Sequence, residues 1–238
     1  MTKPTAVILG VGPGLGLSMA HRFGQAGHDV ALVSRSDTRH AGYLAGLSEA
    51  GITAEAFTGD VYTDLGSTLD AVTERFGRID VVYYGPAALG PDSLPKPILE
   101  TGPADVRQAM NVLYPAVEVV EATLPGMLER GTGGFLFAGG LSVVRPMPAM
   151  GSLAVAGAAL HHYAKTLHEG LAGTGVYAGS LVIGGLVERG DIYQMMTAQQ
   201  GKNGDAGNHT LNPDEIADVA WKLYSDRESA EAVFDVLG

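Results

Sequence analysis

Short apolar runs alternate along this chain with longer segments of helical period. Residues 5–10, 29–34, 52–57, 79–84, 134–139, 176–183 and 232–237 read as seven strands. Several are apolar at consecutive positions, the pattern of parallel strands covered on both faces. Between them, 14–26, 38–50, 64–76, 104–130, 152–171 and 213–225 predict helices. Gly27, Gly51, Gly77 and Gly131 each follow one of these, where a left-handed cap favours glycine. Such alternation predicts an α/β protein, a doubly wound seven-stranded parallel sheet flanked by helices.

Two stretches break the pattern. Residues 85–103 carry Pro86, Pro91, Pro95, Pro97 and Pro103, too many for a regular element. Residues 184–212 are rich in Gly, Asn and Gln, and 198–209 within them read as a mobile stretch of a lid. Both follow strands, so both belong at the carboxyl edge of the sheet, where ligands bind. No repeat and no linker divides the chain, so 1–238 reads as one domain with two irregular loops.

Composition narrows the partners. Fifteen basic against 26 acidic residues give a net charge of −11, which argues against nucleic acid and anionic membrane, since both need a basic face. No apolar run reaches the length of a membrane span. The chain has no cysteine, hence no disulfide framework and no thiolate chemistry. The N-terminal apolar run ends in glycines instead of a cleavage site, so the expectation is a cytoplasmic protein.

The first strand runs into Gly10-Val-Gly12-Pro-Gly14-Leu15-Gly16 and then a helix. Glycines there let the backbone turn tightly and approach a pyrophosphate, which sits on the helix amides at the positive end of the dipole. A tight structural turn is the plainer alternative, but the order strand, glycines, helix is the one a dinucleotide fingerprint requires.

This turn resembles that of the short-chain dehydrogenase/reductase family, whose fold is Rossmann-like. Leu9 replaces the family's threonine, and Gly10, Gly14 and Gly16 match. Two further matches extend the resemblance along the chain. Asp60-Val61 is similar to the family's Asp-Val at the end of the third strand, which implies that Asp60 contacts an adenine. Asn111-Val112 is similar to the structural asparagine of the long helix. The second strand ends in Ser34 and Arg35, where NAD-selective members of the family carry an acid. A guanidinium there can pair with a 2′-phosphate in a fork, so the cofactor implied is NADP(H), bound by Gly10, Gly14, Leu15, Gly16, Ser34, Arg35, Asp60 and Val61. A solvated loop arginine is the alternative at Arg35, and Arg39 and His40 lie near enough to assist.

The catalytic end departs from the family, whose members use Ser, Tyr and Lys. No Tyr-x-x-x-Lys occurs anywhere: Lys96, Lys165, Lys202 and Lys222 have Asp92, His161, Ala198 and Asp218 four places before them. Aligning Ala158-Ala159-Leu160 with the family's small-small-apolar run sets Leu153 at the tyrosine and Gly157 at the lysine. Gly140 then falls at the serine, with Ser142 two residues on. A rival register that uses His161 and Lys165 leaves too little chain before Gly184. The Pro-Gly and threonine after strand six align with Gly184-Gly185 and Arg189, and the Asn-Asn-Ala-Gly after strand four with residues 84–87. Ser142 and Asn111 are the candidates left for catalysis, and Tyr83, Tyr84, Tyr114 and Tyr193 the phenols nearest the cleft.

Three functions stay open: an atypical NADPH-dependent reductase of a non-ketone or activated substrate, a non-redox cyclase, isomerase or dehydratase, and a catalytically silent NADP(H)-binding protein. The expected partner is a small apolar substrate. The family's contact helices, here 104–130 and 152–171, imply a homodimer or homotetramer.

Overall fold

The computed structural model of the chain describes residues 3–86, 95–198 and 209–238. Ala87, and all of the 198–209 stretch except its two end residues, lie outside the described residues. The strands are β1 (Thr5–Leu9), β2 (Asp29–Ser34), β3 (Ala54–Thr58), β4 (Val81–Tyr84), β5 (Gly133–Gly140), β6 (Val176–Gly184), β7 (Leu186–Val187), β8 (Thr210–Leu211) and β9 (Glu231–Asp235). The helices are α1 (Leu15–Gln25), α2 (His40–Glu49), α3 (Leu65–Phe76), α4 (Pro103–Ala109), α5 (Leu113–Arg130), α6 (Gly151–Gly170), α7 (Asp191–Ala198) and α8 (Pro213–Asp226).

Seven strands form one sheet in the order β3-β2-β1-β4-β5-β6-β9, with every neighbouring pair parallel. This is the doubly wound Rossmann-like sheet that the consecutive apolar runs predict. All five residues of β1 are buried, and they alternate between two cores. Val7 and Leu9 face the layer of α3, α5 and α6, with Val72, Val119 and Leu160. Ala6 and Ile8 face the layer of α1, α2 and α8, with Phe23, Leu47 and Ala220. The chain runs outward from β1 in both directions, to β2 and to β4, and the cleft at a switch of this kind is where an open sheet binds its ligand.

The structure corrects two expectations. The segment 104–130 is not one helix: α4 ends at Ala109, Met110–Val112 form a 3-10 turn, and α5 begins at Leu113. Pro115 accounts for the break, because it has no N–H to give the Asn111 carbonyl and its ring crowds that oxygen. Nor is 184–212 irregular throughout. β7 and β8 pair in parallel as a separate two-stranded sheet, Leu186 with Thr210 and Val187 with Leu211, and α7 lies between them in sequence. Among the described residues no helix is long and apolar enough to cross a membrane.

Candidate functional site

A cleft of about 760 Å³ opens at the carboxyl ends of β1, β2, β4, β5 and β6. Gly10, Gly14, Leu15 and Gly16 form its floor, and Ser34, Arg35, Asp60 and Val61 one end, so the structure gathers all eight predicted cofactor positions on one surface. The glycines differ in what they do. Gly10 has φ +89°, and a Cβ there would come within 2.7 Å of the Gly85 carbonyl and of Pro86. A Cβ on Gly16 would meet Val11 Cα at 2.9 Å, and one on Gly14 the Glu188 carbonyl at 3.1 Å. Gly12 faces open space, with no atom within 4 Å of a built Cβ. No side chain caps α1 and its first turn holds no acid, so the Leu15 and Gly16 amides stay available for an anion, while Leu17 and Ser18 donate to the Gly12 and Gly14 carbonyls. This bare, donor-rich floor fits a diphosphate.

At the β2 end, Arg35 is exposed and makes no hydrogen bond or ion pair among the described residues. Ser34 Oγ donates to the Ser36 carbonyl at 3.0 Å and lies 2.7 Å from His40 Nε2. Arg39, at the start of α2, gives both terminal nitrogens to Asp191, at 2.9 and 2.8 Å. That hydrogen-bonded carboxylate holds the Arg39 pKa above its ordinary value. The sequence reading set Arg39 beside the site but missed Asp191, 152 residues away, because nothing local marks that pairing. Asp60 lies beyond the end of β3, not in it. Its Oδ1 accepts the Tyr62 amide at 3.0 Å, and its carbonyl accepts those of Thr63 and Asp64 at 3.0 and 2.8 Å.

The opposite end is hydrocarbon. Leu153 and Gly157 of α6 line it, where the resemblance set the tyrosine and lysine, and Val143, Met150 and Ile183 complete it. A Cβ on Gly157 would lie 2.9 Å from Val143 Cγ1. Ser142, in the 3-10 turn Leu141–Val143, lines both this end and an adjoining pocket of about 280 Å³ walled by Leu141, Met147, Met150 and Leu237. Asn111 lies exposed in its 3-10 turn and outside the cleft lining, so the structure does not bring it to Ser142. Tyr83 lines the cleft, while Tyr84 donates its hydroxyl to the Val112 carbonyl at 2.8 Å, and burial pushes both phenols well above their ordinary pKa. Tyr114 and Tyr193 do not line the cleft.

The rejected pair His161 and Lys165 serves elsewhere. His161 Nδ1 lies 2.9 Å from Ser180 Oγ and its Nε2 3.2 Å from Glu231, to which Lys165 also pairs at 2.9 Å. Arg189, aligned with the family's threonine, turns away from the cleft at φ +66°. It donates to Asp214 at 2.7 Å and to Ser18 at 3.0 Å. Charged side chains thus gather at the β2 end, and among the described residues Ser142 is the lining hydroxyl beside Leu153 and Val143.

Comparison with known proteins gives matches along most of the chain. The family model for short chain dehydrogenase matches residues 4–198. The 1-deoxy-11-beta-hydroxypentalenate dehydrogenase of Streptomyces exfoliatus is 31% identical over 232 residues, which cover 93% of this chain and 80% of that protein. Among solved structures, L-sorbose reductase from Gluconobacter frateurii, complexed with NADPH and L-sorbose, superposes with a TM-score of 0.84 at 22% identity, over 98% of this chain and 95% of that one. A metagenomic short-chain oxidoreductase in complex with NADP superposes at 0.76 with 20% identity, over 98% and 96% of the two chains.

Proposed function

The chain belongs to the short chain dehydrogenase family, and on that premise we propose that it is an NADP(H)-dependent oxidoreductase acting on a small apolar substrate other than an ordinary ketone. The observation that carries the reading is Arg35, a guanidinium at the ribose end of the cleft with no carboxylate to neutralise it among the described residues. The glycine floor and the leading amides of α1 would hold the diphosphate, Asp60 and Val61 would flank the adenine, and Arg35 would pair with the 2′-phosphate. When bound, the nicotinamide supplies or accepts a hydride. The solved relatives named above carry NADP or NADPH, which supports this choice of cofactor.

The residues of the other end set the substrate. Leu153, Val143, Met150 and Ile183 exclude water and offer packing surface, and Ser142 is the hydroxyl that can orient one substrate oxygen. Tyr83, with its phenol pushed up by burial, is a poor acid. The substrate is therefore an activated alkene, an iminium or a similar compound that needs little proton help at oxygen. Steady-state oxidation of NADPH across such compounds and simple ketones tests this. Turnover confined to the activated class is expected, and a rate on simple ketones equal to that on activated compounds overturns the reading.

Self-association completes the proposal. Tyr114, Val117 and Leu128 of α5 and Val155 of α6 are exposed apolar side chains on the helices that the resemblance assigns to subunit contacts. Light scattering at micromolar concentration should give the mass of a dimer or tetramer; a monomer refutes it.

A further inference from the structure

We propose that Asp191 sets the nucleotide preference of the cleft by competing from within the chain for the second arginine of the 2′-phosphate site. The inference rests on the NADP(H) reading above. Arg39 and Asp191 stand on opposite walls of the cleft, one at the start of α2 and the other at the start of α7, and both line it. Their two bonds, 2.9 and 2.8 Å, are those of a fork holding a carboxylate. A phosphate offers the same fork the same pair of oxygens, so the two anions exclude one another on Arg39.

Arg35 and Arg39 lie at the same end of the cleft, and only Arg39 has its guanidinium engaged by a carboxylate among the described residues. Arg35 thus meets an incoming phosphate without first releasing a carboxylate, whereas Arg39 must release Asp191. The pair is half-exposed on both sides, which makes it weak and exchangeable.

Exchange at Arg39 also has a mechanical result. Residues just before α7 are anchored without it: Arg189 holds Asp214 and Ser18, and Gly190 packs where a Cβ on Gly14 would stand. Helix α7 has no buried residue, and within it Gln194 reaches only back to the Arg189 carbonyl, at 2.9 Å. Asp191 is therefore a direct hydrogen-bonded link between α7 and the far wall. A nucleotide bearing a 2′-phosphate loosens that link, and one without it leaves the link closed.

Adenosine 2′,5′-bisphosphate and AMP, which differ only in the 2′-phosphate, separate these terms in calorimetric titration of the full chain. Wild type should prefer the bisphosphate. Asp191→Ala should tighten the bisphosphate about fivefold, the worth of an exposed ion pair, and leave AMP within about twofold. In an Arg39→Ala background the same substitution should change nothing, which distinguishes competition for the fork from simple removal of charge. Hydrogen exchange of residues 191–198 should rise on adding the bisphosphate to wild type and stay level with AMP. A preference for the bisphosphate that Asp191→Ala leaves unaltered, or an equal gain in both backgrounds, overturns this inference and leaves the NADP(H) reading standing. No preference in wild type overturns both.

Discussion

Arg35 and Leu153 lie at the two ends of one cleft, and single substitutions there ask different questions. Arg35→Ala removes the unpaired guanidinium. A charge-assisted hydrogen bond contributes about 1.5 kcal/mol at the low end, so NADPH should weaken by about tenfold or more in a fluorescence titration. NADH, lacking the phosphate, should change little; equal losses for both would assign Arg35 to packing. At Leu153 the question is where a proton comes from. Reduction of a simple ketone places growing negative charge on oxygen, and a desolvated charge facing Leu153 and Val143 gets no proton from either, with the weakly acidic Ser142 hydroxyl beside them. A positioned acid contributes about 10²–10⁴-fold. Leu153→Tyr with Gly157→Lys restores the family's pair, and the structure adds a condition, since a side chain at 157 meets Val143 Cγ1 at 2.9 Å. The triple variant with Val143→Ala should therefore gain about 100-fold in NADPH-dependent reduction of a simple ketone. Wild-type turnover already near the ordinary range of about 1–10³ s⁻¹ would show that another donor exists.

Elements are tied together by groups that hydrophobic pattern alone does not rank, and Asp80 is the clearest. It is almost wholly buried at the entry to β4 and accepts the Thr5 amide at 2.9 Å, Arg78 at 2.7 and 2.5 Å, and an ion pair from Arg130 at 3.3 Å. One carboxylate thus joins the start of β1, the approach to β4 and the end of α5. Asp80→Ala strands the Arg78 guanidinium and a strand amide and leaves Arg130 with the Ile79 carbonyl alone, and should cost about 3–5 kcal/mol in urea unfolding. A loss below about 1 kcal/mol would mean that water replaces the carboxylate there. The main elements were legible because apolar runs of strand length recur with capping glycines between them; Gly27, Gly51, Gly77 and Gly131 all adopt positive φ. The glycine floor was legible for the same local reason. The break at Asn111 was also written in the sequence, in Pro115, but a long apolar period masked it. β7, β8 and the Arg39–Asp191 fork were not legible, because each exists only through a partner distant in sequence. A two-residue strand carries no period of its own.

Across the whole molecule, charge and burial make opposite forecasts for acid, and that opposition gives the last prediction. The chain carries a net charge of −11 and a pI near 4.9, so acidification from neutrality reduces self-repulsion and on that ground should stabilise the fold. His21, His28 and His161 argue the reverse. Burial lowers each below its ordinary value of 6.5. His28 shows the cause plainly: its ring packs edge-on against Phe23 and Trp221, with centroids 5.5 and 5.8 Å away, and a charge there leaves water for aromatic carbon. The unfolded chain binds protons at these sites near pH 6.5, whereas the folded chain binds them only at lower pH. More protons on the unfolded state means that stability falls as pH falls, starting near 6.5 and continuing to the lower folded pKa values. Asp105 and Asp214, held low by Lys96 and Arg189 respectively, add to the loss only near and below their ordinary 3.8, so they do not blur this window. The urea midpoint should therefore drop between about pH 7 and pH 5, although the net charge shrinks over the same interval. His28→Gln keeps a polar side chain without the titration and should flatten part of that slope, whatever it does to absolute stability. A midpoint that rises toward pH 5 would show that self-repulsion outweighs the buried imidazoles.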